Sequence, residues 1–309
     1  MTYIERDRGY KLILLIFSLA MIFLSLLSPS LLIEFAIKGL DMCGRCVIPS
    51  LFPFMIFSDM LISSDVFNNI PRKIGIVFEK LFKLPMCAMG AFFIGVLCGF
   101  PLGVKHACDL YSSGNLSKEQ CERLVCFVNN TGPSFIIAGV GVSMRKSVFE
   151  GALLYLIQIV SSIVCGLLIS KNATYKSAER KHFTSQDDFS FSESIKRSAL
   201  NCVYISGFIT FFSIACGFSQ HLINNDVASA VLSSFLEIGN ASSVCAKLDY
   251  KALSFSLSAF AISFSGLSVH MQSKVFTDKT DINLKKYYFS KLFQAILSFF
   301  VALVISFIR

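Results

Sequence analysis

Charge is scarce in this chain: Asp, Glu, Lys and Arg together make up 16% of the 309 residues, and tryptophan is absent altogether. A solvated enzyme surface needs more charge than this. With 54% hydrophobic residues and a mean hydropathy of +0.65, the composition excludes an ordinary soluble domain and reads as a membrane protein. The net charge of +8 lies in short stretches between apolar segments and not on one face, which excludes disorder and a nucleic-acid partner and leaves the lipid bilayer. Also missing are GxSxG, HExxH and a phosphate loop. A CxxC is present at Cys43-Gly44-Arg45-Cys46, but it has no second CxxC or clustered histidines to complete a metal or redox centre. The eleven cysteines are scattered at apolar positions, where they read as small packing residues and not as a disulfide framework. The expectation is therefore no enzyme, no catalytic residue and no metal site.

What is present is a series of apolar runs. Residues 12–33 are uncharged over 22 positions, enough to cross a hydrocarbon core of about 30 Å. Ser28-Pro29-Ser30, late in the run, stands where a cleavage site would, but Glu5 and Asp7 disfavour a signal peptide. Further runs cover 85–104, 124–144, 152–170, 198–220 and 292–308, with 252–273 interrupted only by His270. The shorter 47–58 stops at Asp59, and 227–246 is split by Glu237. Without tryptophan, Tyr10, Tyr175, Tyr250, Tyr287 and Tyr288 are left as aromatic anchors beside the runs.

Three loops are rich in Lys and Arg: 72–83, the 171–197 loop with six basic residues, and 274–291 with five lysines. The positive-inside rule places all three in the cytoplasm. Parity then requires 85–104 and 227–246 to be hairpins that enter and return, and Gly90, Gly95, Gly99, Pro101 and Gly103 in the first and Gly239 in the second agree with bent or broken helices. Such backbone is tolerated at membrane depth only against protein or a water-filled cavity. The fold class expected is an all-α polytopic membrane protein built as an inverted repeat, with re-entrant helical hairpins and discontinuous helices, as secondary transporters are. It divides into an N-terminal transmembrane helix over 1–35, a first repeat over 36–170, a cytoplasmic linker over 171–197 and a second, inverted repeat over 198–309. Arg145 and Lys146 stand against this scheme, because they fall in an outside turn.

The candidate site residues come from the interruptions. In the first half, the segment containing Gly99, Pro101, Gly103 and Lys105 is followed 30 residues after Gly99 by Asn129, Asn130, Thr131, Gly132, Pro133 and Ser134; in the second, Glu237, Gly239 and Asn240 are followed 28 residues after Glu237 by Ser265, Gly266, Ser268, His270 and Gln272. Interrupted segments at corresponding positions of two halves point to a binding site, because broken helices expose amides and carbonyls. Pro133 removes an amide and disfavours helix geometry at Gly132, and the polar run before it is more than a simple kink needs. Glu237 in an apolar segment is a functional carboxylate, a member of a structural ion pair, or a hairpin tip in the headgroups. Lys105 either presents charge to an anion or snorkels to the inner surface. His270 reads more readily as an interhelical hydrogen-bonder than as a proton carrier, and Asp59 as interfacial.

The runs Val47-Ile48-Pro49-Ser50-Leu51-Phe52-Pro53-Phe54, Gly99-Phe100-Pro101-Leu102-Gly103 and Asn129-Asn130-Thr131-Gly132-Pro133-Ser134, with Glu237-Ile238-Gly239-Asn240 and Gly266-Leu267-Ser268-Val269-His270-Met271-Gln272, together resemble the nucleoside-recognition (gate) domain family. Within it they resemble the sporulation integral membrane proteins of the YlbJ type, over residues 36–308. The resemblance implies a fold similar to concentrative nucleoside transporters, a bacterial membrane location, and, for the spore-forming group, movement of dipicolinate across the outer forespore membrane. The function expected is a secondary transporter or permease for a small, anionic organic solute. It needs no cofactor other than a coupling proton or sodium ion, and it is compatible with a homo-oligomer. The alternatives are a permease for nucleosides or other solutes, and a non-transporting scaffold or channel subunit in spore or envelope assembly that works through the 171–197 loop.

Overall fold

A computed structural model describes residues 3–64, 71–174 and 190–308, without the side chains of residues 3–11, 13 and 14. Helix α1 (Tyr3–Leu27) stops at Ser28, and α2 (Pro29–Met42) begins on the proline that stops it, since proline cannot continue a helix but suits its first turn. A π-helical turn, Cys43–Val47, joins α2 to α3 (Ile48–Ser63), so that Pro29–Ser63 is one apolar helix of 35 residues. The turn falls directly before Pro49, which donates no backbone hydrogen bond and crowds the carbonyl of Arg45.

Here the sequence expectation is corrected. Residues 12–33 are not one span but two helices meeting at Ser28, and the boundary expected at residue 35 lies inside α2. The charged stretch after it stays helical because Lys38 pairs with Glu34 at 2.7 Å and Arg45 pairs with Asp41, each one turn apart.

Next comes α4 (Arg72–Phe82), which buries Phe78 and Phe82 and exposes Arg72, Lys73 and Lys80. Helices α5 (Ala88–Leu97) and α6 (Leu102–Ser112) fold back on each other across residues 98–101, with Gly95 and Gly103 side by side against the carbonyl of Val128. Helix α7 (Lys118–Val128), started by a Ser117–Gln120 capping box, is separated by residues 129–133 from the π-helix Ser134–Met144. Helix α8 (Val148–Ser170) completes the first half. The second half holds α9 (Phe191–Leu222), the short pair α10 (Asp226–Leu236) and α11 (Ile238–Ala246), then α12 (Lys251–Phe264) and α13 (Gly266–Thr277), which meet at Ser265, and finally α14 (Lys285–Ile308). There is no β-strand among the described residues. Among the described residues, five helical stretches are long and apolar enough to cross a membrane: Pro29–Ser63, Val148–Ser170, Phe191–Leu222, Lys251–Thr277 and Lys285–Ile308.

The largest core cluster draws Val47 of the π-helical turn, Leu51 of α3, Ile94 of α5, Ile136 of the π-helix Ser134–Met144, Ile209 of α9, Ile238 of α11 and Val269 of α13 into one contiguous body. Arg145, the residue that resisted the topology, belongs to this framework and not to a loop surface. Its guanidinium donates to Glu150 at 2.7 Å and to Ser254 and Ser258 at 3.0 and 3.1 Å, and it lies 5.5 Å from the Phe255 ring. A charge spent on tying the π-helix to α12 says nothing about which side of the membrane it faces.

Two further expectations change. The lysine-rich loop ends at Lys285, because Lys291 lies fully buried inside α14. Tyr287 is 1% exposed and is no interfacial anchor; Tyr10, Tyr175 and residues 175–189 of the linker lie outside the described side chains. In the remaining loop Asp281 accepts from Lys118 at 2.8 Å and Tyr111 at 2.6 Å, and the Lys118 bond, followed by that of Tyr111, holds its carboxyl below the usual carboxylate range.

The close approach of α5, α6 and the end of α7 depends on glycine. A Cβ on Gly95 would run into the Val128 carbonyl, so Gly95→Val is expected to destabilise the purified protein by at least about 2 kcal/mol, read from its thermal unfolding in detergent.

Candidate functional site: two hairpin turns and two helix breaks

Each hairpin turn is packed against the helix break of its own half, and each contact is made through a glycine in the left-handed region. Gly99 has φ +85°, and a Cβ there would lie 2.6 Å from the Gly132 nitrogen; Gly266 has φ +73°, and a Cβ there would lie 2.9 Å from the Glu237 nitrogen. Only a residue without a side chain satisfies both the backbone and the contact. The two breaks also touch each other: Thr131 Oγ1 donates to the Ile262 carbonyl at 3.1 Å, and Asn129 Nδ2 donates to Ser273 Oγ at 3.0 Å.

The asparagine run is held from behind. Asn129 Nδ2 also donates to Tyr287 Oη at 2.6 Å. Asn130 Nδ2 donates to the Phe127 carbonyl at 2.9 Å and Ser162 Oγ at 3.1 Å, while its Oδ1 accepts from Gln294 Nε2 at 3.2 Å. Gln158 Nε2 donates to the Thr131 carbonyl at 3.0 Å, and Lys291 Nζ to the Asn129 carbonyl at 2.9 Å. Asn129 and Asn130 therefore brace the unwound segment and do not line the cavity.

In the second half Glu237 is the N-cap of α11 and is 1% exposed. Its Oε2 accepts from the Asn240 backbone at 2.7 Å and from Asn240 Nδ2 at 2.9 Å; Asn240 Nδ2 also donates to Ser213 Oγ at 2.8 Å. A carboxylate at a helix N-terminus meets the positive end of the dipole. Among the described residues it has no ion-pair partner. Gly239 sits against Met42 and Glu237.

The elements surround a cavity of about 20 Å³, walled by Val47 of the π-helical turn, Ser50, Leu51 and Phe54 of α3, Leu97, Cys98 and Phe100 at the first turn, Thr131, Gly132, Pro133, Ser134 and Phe135 at the first break, Ile209 of α9, Glu237 and Ile238 at the second turn, and Val269 and Gln272 of α13. The wall is apolar apart from Ser50, Thr131, Ser134, Glu237 and Gln272. It is also narrow, with room for about one water.

Of the candidates, Thr131, Gly132, Ser134, Glu237 and Gln272 reach this wall. Gly99, Pro101, Gly103, Gly239, Asn240, Ser265 and Gly266 shape the turns and breaks behind it. Ser265 Oγ donates to the Ile262 carbonyl at 3.0 Å, and Ser268 Oγ accepts from Gln272 Nε2 at 3.3 Å. His270 bonds Tyr287 Oη through Nδ1 at 2.7 Å and packs edge-on to Phe264. Lys105 is not on the wall; it lies 3.3 Å from Asp109 and 3.8 Å from Asp59, which also accepts from Ser194 and pairs with Arg197. The sequence reading missed Gln158, Ser162, Tyr287, Lys291 and Gln294. For the last three the signal was a polar stripe in an apolar helix: Tyr287, Ser290, Lys291, Gln294 and Ser298 share one face of α14 at helical spacing.

An all-helical integral membrane protein with a largely apolar cavity between broken helices, carrying one buried carboxylate on its wall, is the class that these features define. The chain is similar to the sporulation integral membrane protein YlbJ of Bacillus subtilis (strain 168), at 24% identity over 316 aligned residues that cover 87% of this chain and 76% of that protein. No family model matches the chain, and no solved structure does.

Bracing and lining residues are separable by experiment. Asn130→Ala strips three buried side-chain hydrogen bonds and is expected to lower stability by about 2–3 kcal/mol, whereas Ser134→Ala on the wall is expected to lower it by less than about 1 kcal/mol, both read from thermal unfolding.

Proposed function

We propose that the protein is a secondary transporter that moves a small, anionic organic solute through the cavity between the two hairpin turns and the two helix breaks. The observation that carries this reading is that cavity, with the buried carboxylate of Glu237 on its wall. The order of elements supports it. Each half runs long helix, hairpin, broken helix, long helix: Pro29–Ser63, α5 with α6, α7 with the π-helix, and α8; then α9, α10 with α11, α12 with α13, and α14. Read with the three basic loops in the cytoplasm, the halves have opposite orientation and the hairpins are re-entrant, which is the arrangement for alternating access. At its present width the cavity does not admit an organic solute, so the reading assigns this conformation to an occluded state that opens by parting the turns from the breaks.

The wall carries no Lys or Arg, so an anion is met there by amides at helix starts and not by a fixed positive charge. Glu237, when ionised, occupies the N-terminus of α11 itself. A proton on Glu237 removes the repulsion and turns the group into a donor, so solute and proton enter together; the carboxylate would serve a sodium ion in the same place. Under this reading the chain has no catalytic role. The association of its relative with sporulation makes dipicolinate the first solute to test and the outer forespore membrane the location, with nucleosides as the alternative solute.

The test is uptake of radiolabelled dipicolinate, with a nucleoside as comparator, into proteoliposomes under an imposed proton or sodium gradient. Saturable uptake is expected, and Glu237→Gln is expected to reduce gradient-driven accumulation about tenfold or more. Absence of uptake of either solute by folded protein, or accumulation indifferent to Glu237→Gln, would overturn the assignment.

A further inference from the structure

Lys291 is the most deeply buried charge that the transport reading leaves without a task. It has no solvent exposure, and among the described residues no carboxylate lies within ion-pair distance of it. A lone ammonium in an apolar helix is costly and marks a functional or organising role. Its two acceptors identify that role: the Asn129 carbonyl at 2.9 Å and Gln294 Oε1 at 2.9 Å. The Asn129 carbonyl is freed where α7 unwinds, at the negative end of that helix. Gln294 cannot turn its oxygen elsewhere without losing the bonds its Nε2 gives to Asn130 Oδ1 and the Gln158 carbonyl, both at 3.2 Å. Two more buried acceptors of the same cluster, Asn129 Oδ1 and Gln158 Oε1, have no donor. The first break is thus rich in oxygen and poor in hydrogen. Unwound carbonyls at a helix C-terminus are where membrane transporters otherwise hold a metal cation.

We infer that Lys291 is a tethered cation for the first helix break, its ammonium standing where a free metal ion would otherwise bind the unwound carbonyl end of α7. The break is then kept open by covalent supply of charge from α14, whatever the ionic composition of the medium. Free-cation binding is confined to the Glu237 half. Only this last statement rests on the transport reading; the role of Lys291 at the break does not.

The test is therefore unfolding and not uptake. Wild type, Lys291→Ala and Lys291→Met are purified in detergent and melted by circular dichroism, the chain having no tryptophan to report, in choline, sodium or ethylammonium chloride at equal ionic strength. The alanine variant in choline is expected to melt about 5–10 °C below wild type. Sodium or ethylammonium, but not choline, is expected to recover most of that loss, by more than either raises the wild type. The methionine variant, which fills the space without the charge, is expected to stay low in all three salts. A methionine variant as stable as wild type, or an alanine variant indifferent to the choice of cation, would overturn the inference. If the alanine variant does not fold, Glu237→Gln with Lys291 intact decides: no sodium-specific shift is expected, and such a shift would show a free-cation site at the break and overturn it.

Discussion

Unwound backbone inside an apolar helical body must find partners for every amide and carbonyl it exposes, and the rest of this structure follows from that requirement. An unpaired backbone group away from water costs as much as several good contacts contribute. The α7 break answers it with side chains from other helices: Ser162 donates to the Phe127 carbonyl at 2.5 Å, Ser290 to Cys126 at 2.9 Å, Lys291 to Asn129 and Gln158 to Thr131. The α12 break uses less help, because a left-handed Ser265 and Gly266 close it locally and Glu237 caps the neighbouring helix start. The two breaks are alike in position and unlike in chemistry, one organised around a cation and the other around a carboxylate.

That difference determines what each half can do. The first break is tied on several sides by hydrogen bonds to α8 and α14 and makes a stiff wall. The second presents its carboxylate to the cavity through a short helix whose N-terminal amides hold it. A first half braced by side chains faces a second half that carries a buried carboxylate at the start of α11.

Much of this was readable in the sequence because membrane burial simplifies the code. Residues 85–104 are too rich in glycine for a straight helix, and they fold as α5 and α6 around Gly99; Pro133 and the polar run before it mark the α7 break; Glu237 marks the other hairpin turn. What escaped were features that local pattern does not carry. The continuity of α2 and α3 through Arg45 depends on ion pairs one turn apart and on a π turn, and Arg145 looked like loop charge because its partners Ser254 and Ser258 lie more than 100 positions away. Lys291 was lost to a loop because a lysine beside an apolar run reads as its border, although its polar neighbours on one face of α14 put it inside. The roles of Asn129 and Asn130 were likewise out of reach: a polar interruption announces a break, but whether its side chains face a cavity or a supporting helix depends on which helix packs behind it.

The bonds that complete the first break span most of the chain: Lys291 reaches Asn129 across 162 positions, and Gln294 reaches Asn130 across 164. During synthesis, α7 and the π-helix therefore emerge and enter the bilayer long before α14 exists. Until α14 arrives, the unwound carbonyls must borrow partners from lipid headgroups, water or an insertion factor, and the first half remains an unfinished object. A segment made later thus closes a gap left by one made earlier. Loss of α14 would be felt not only where that helix packs but at the α7 break, 162 positions earlier in the chain.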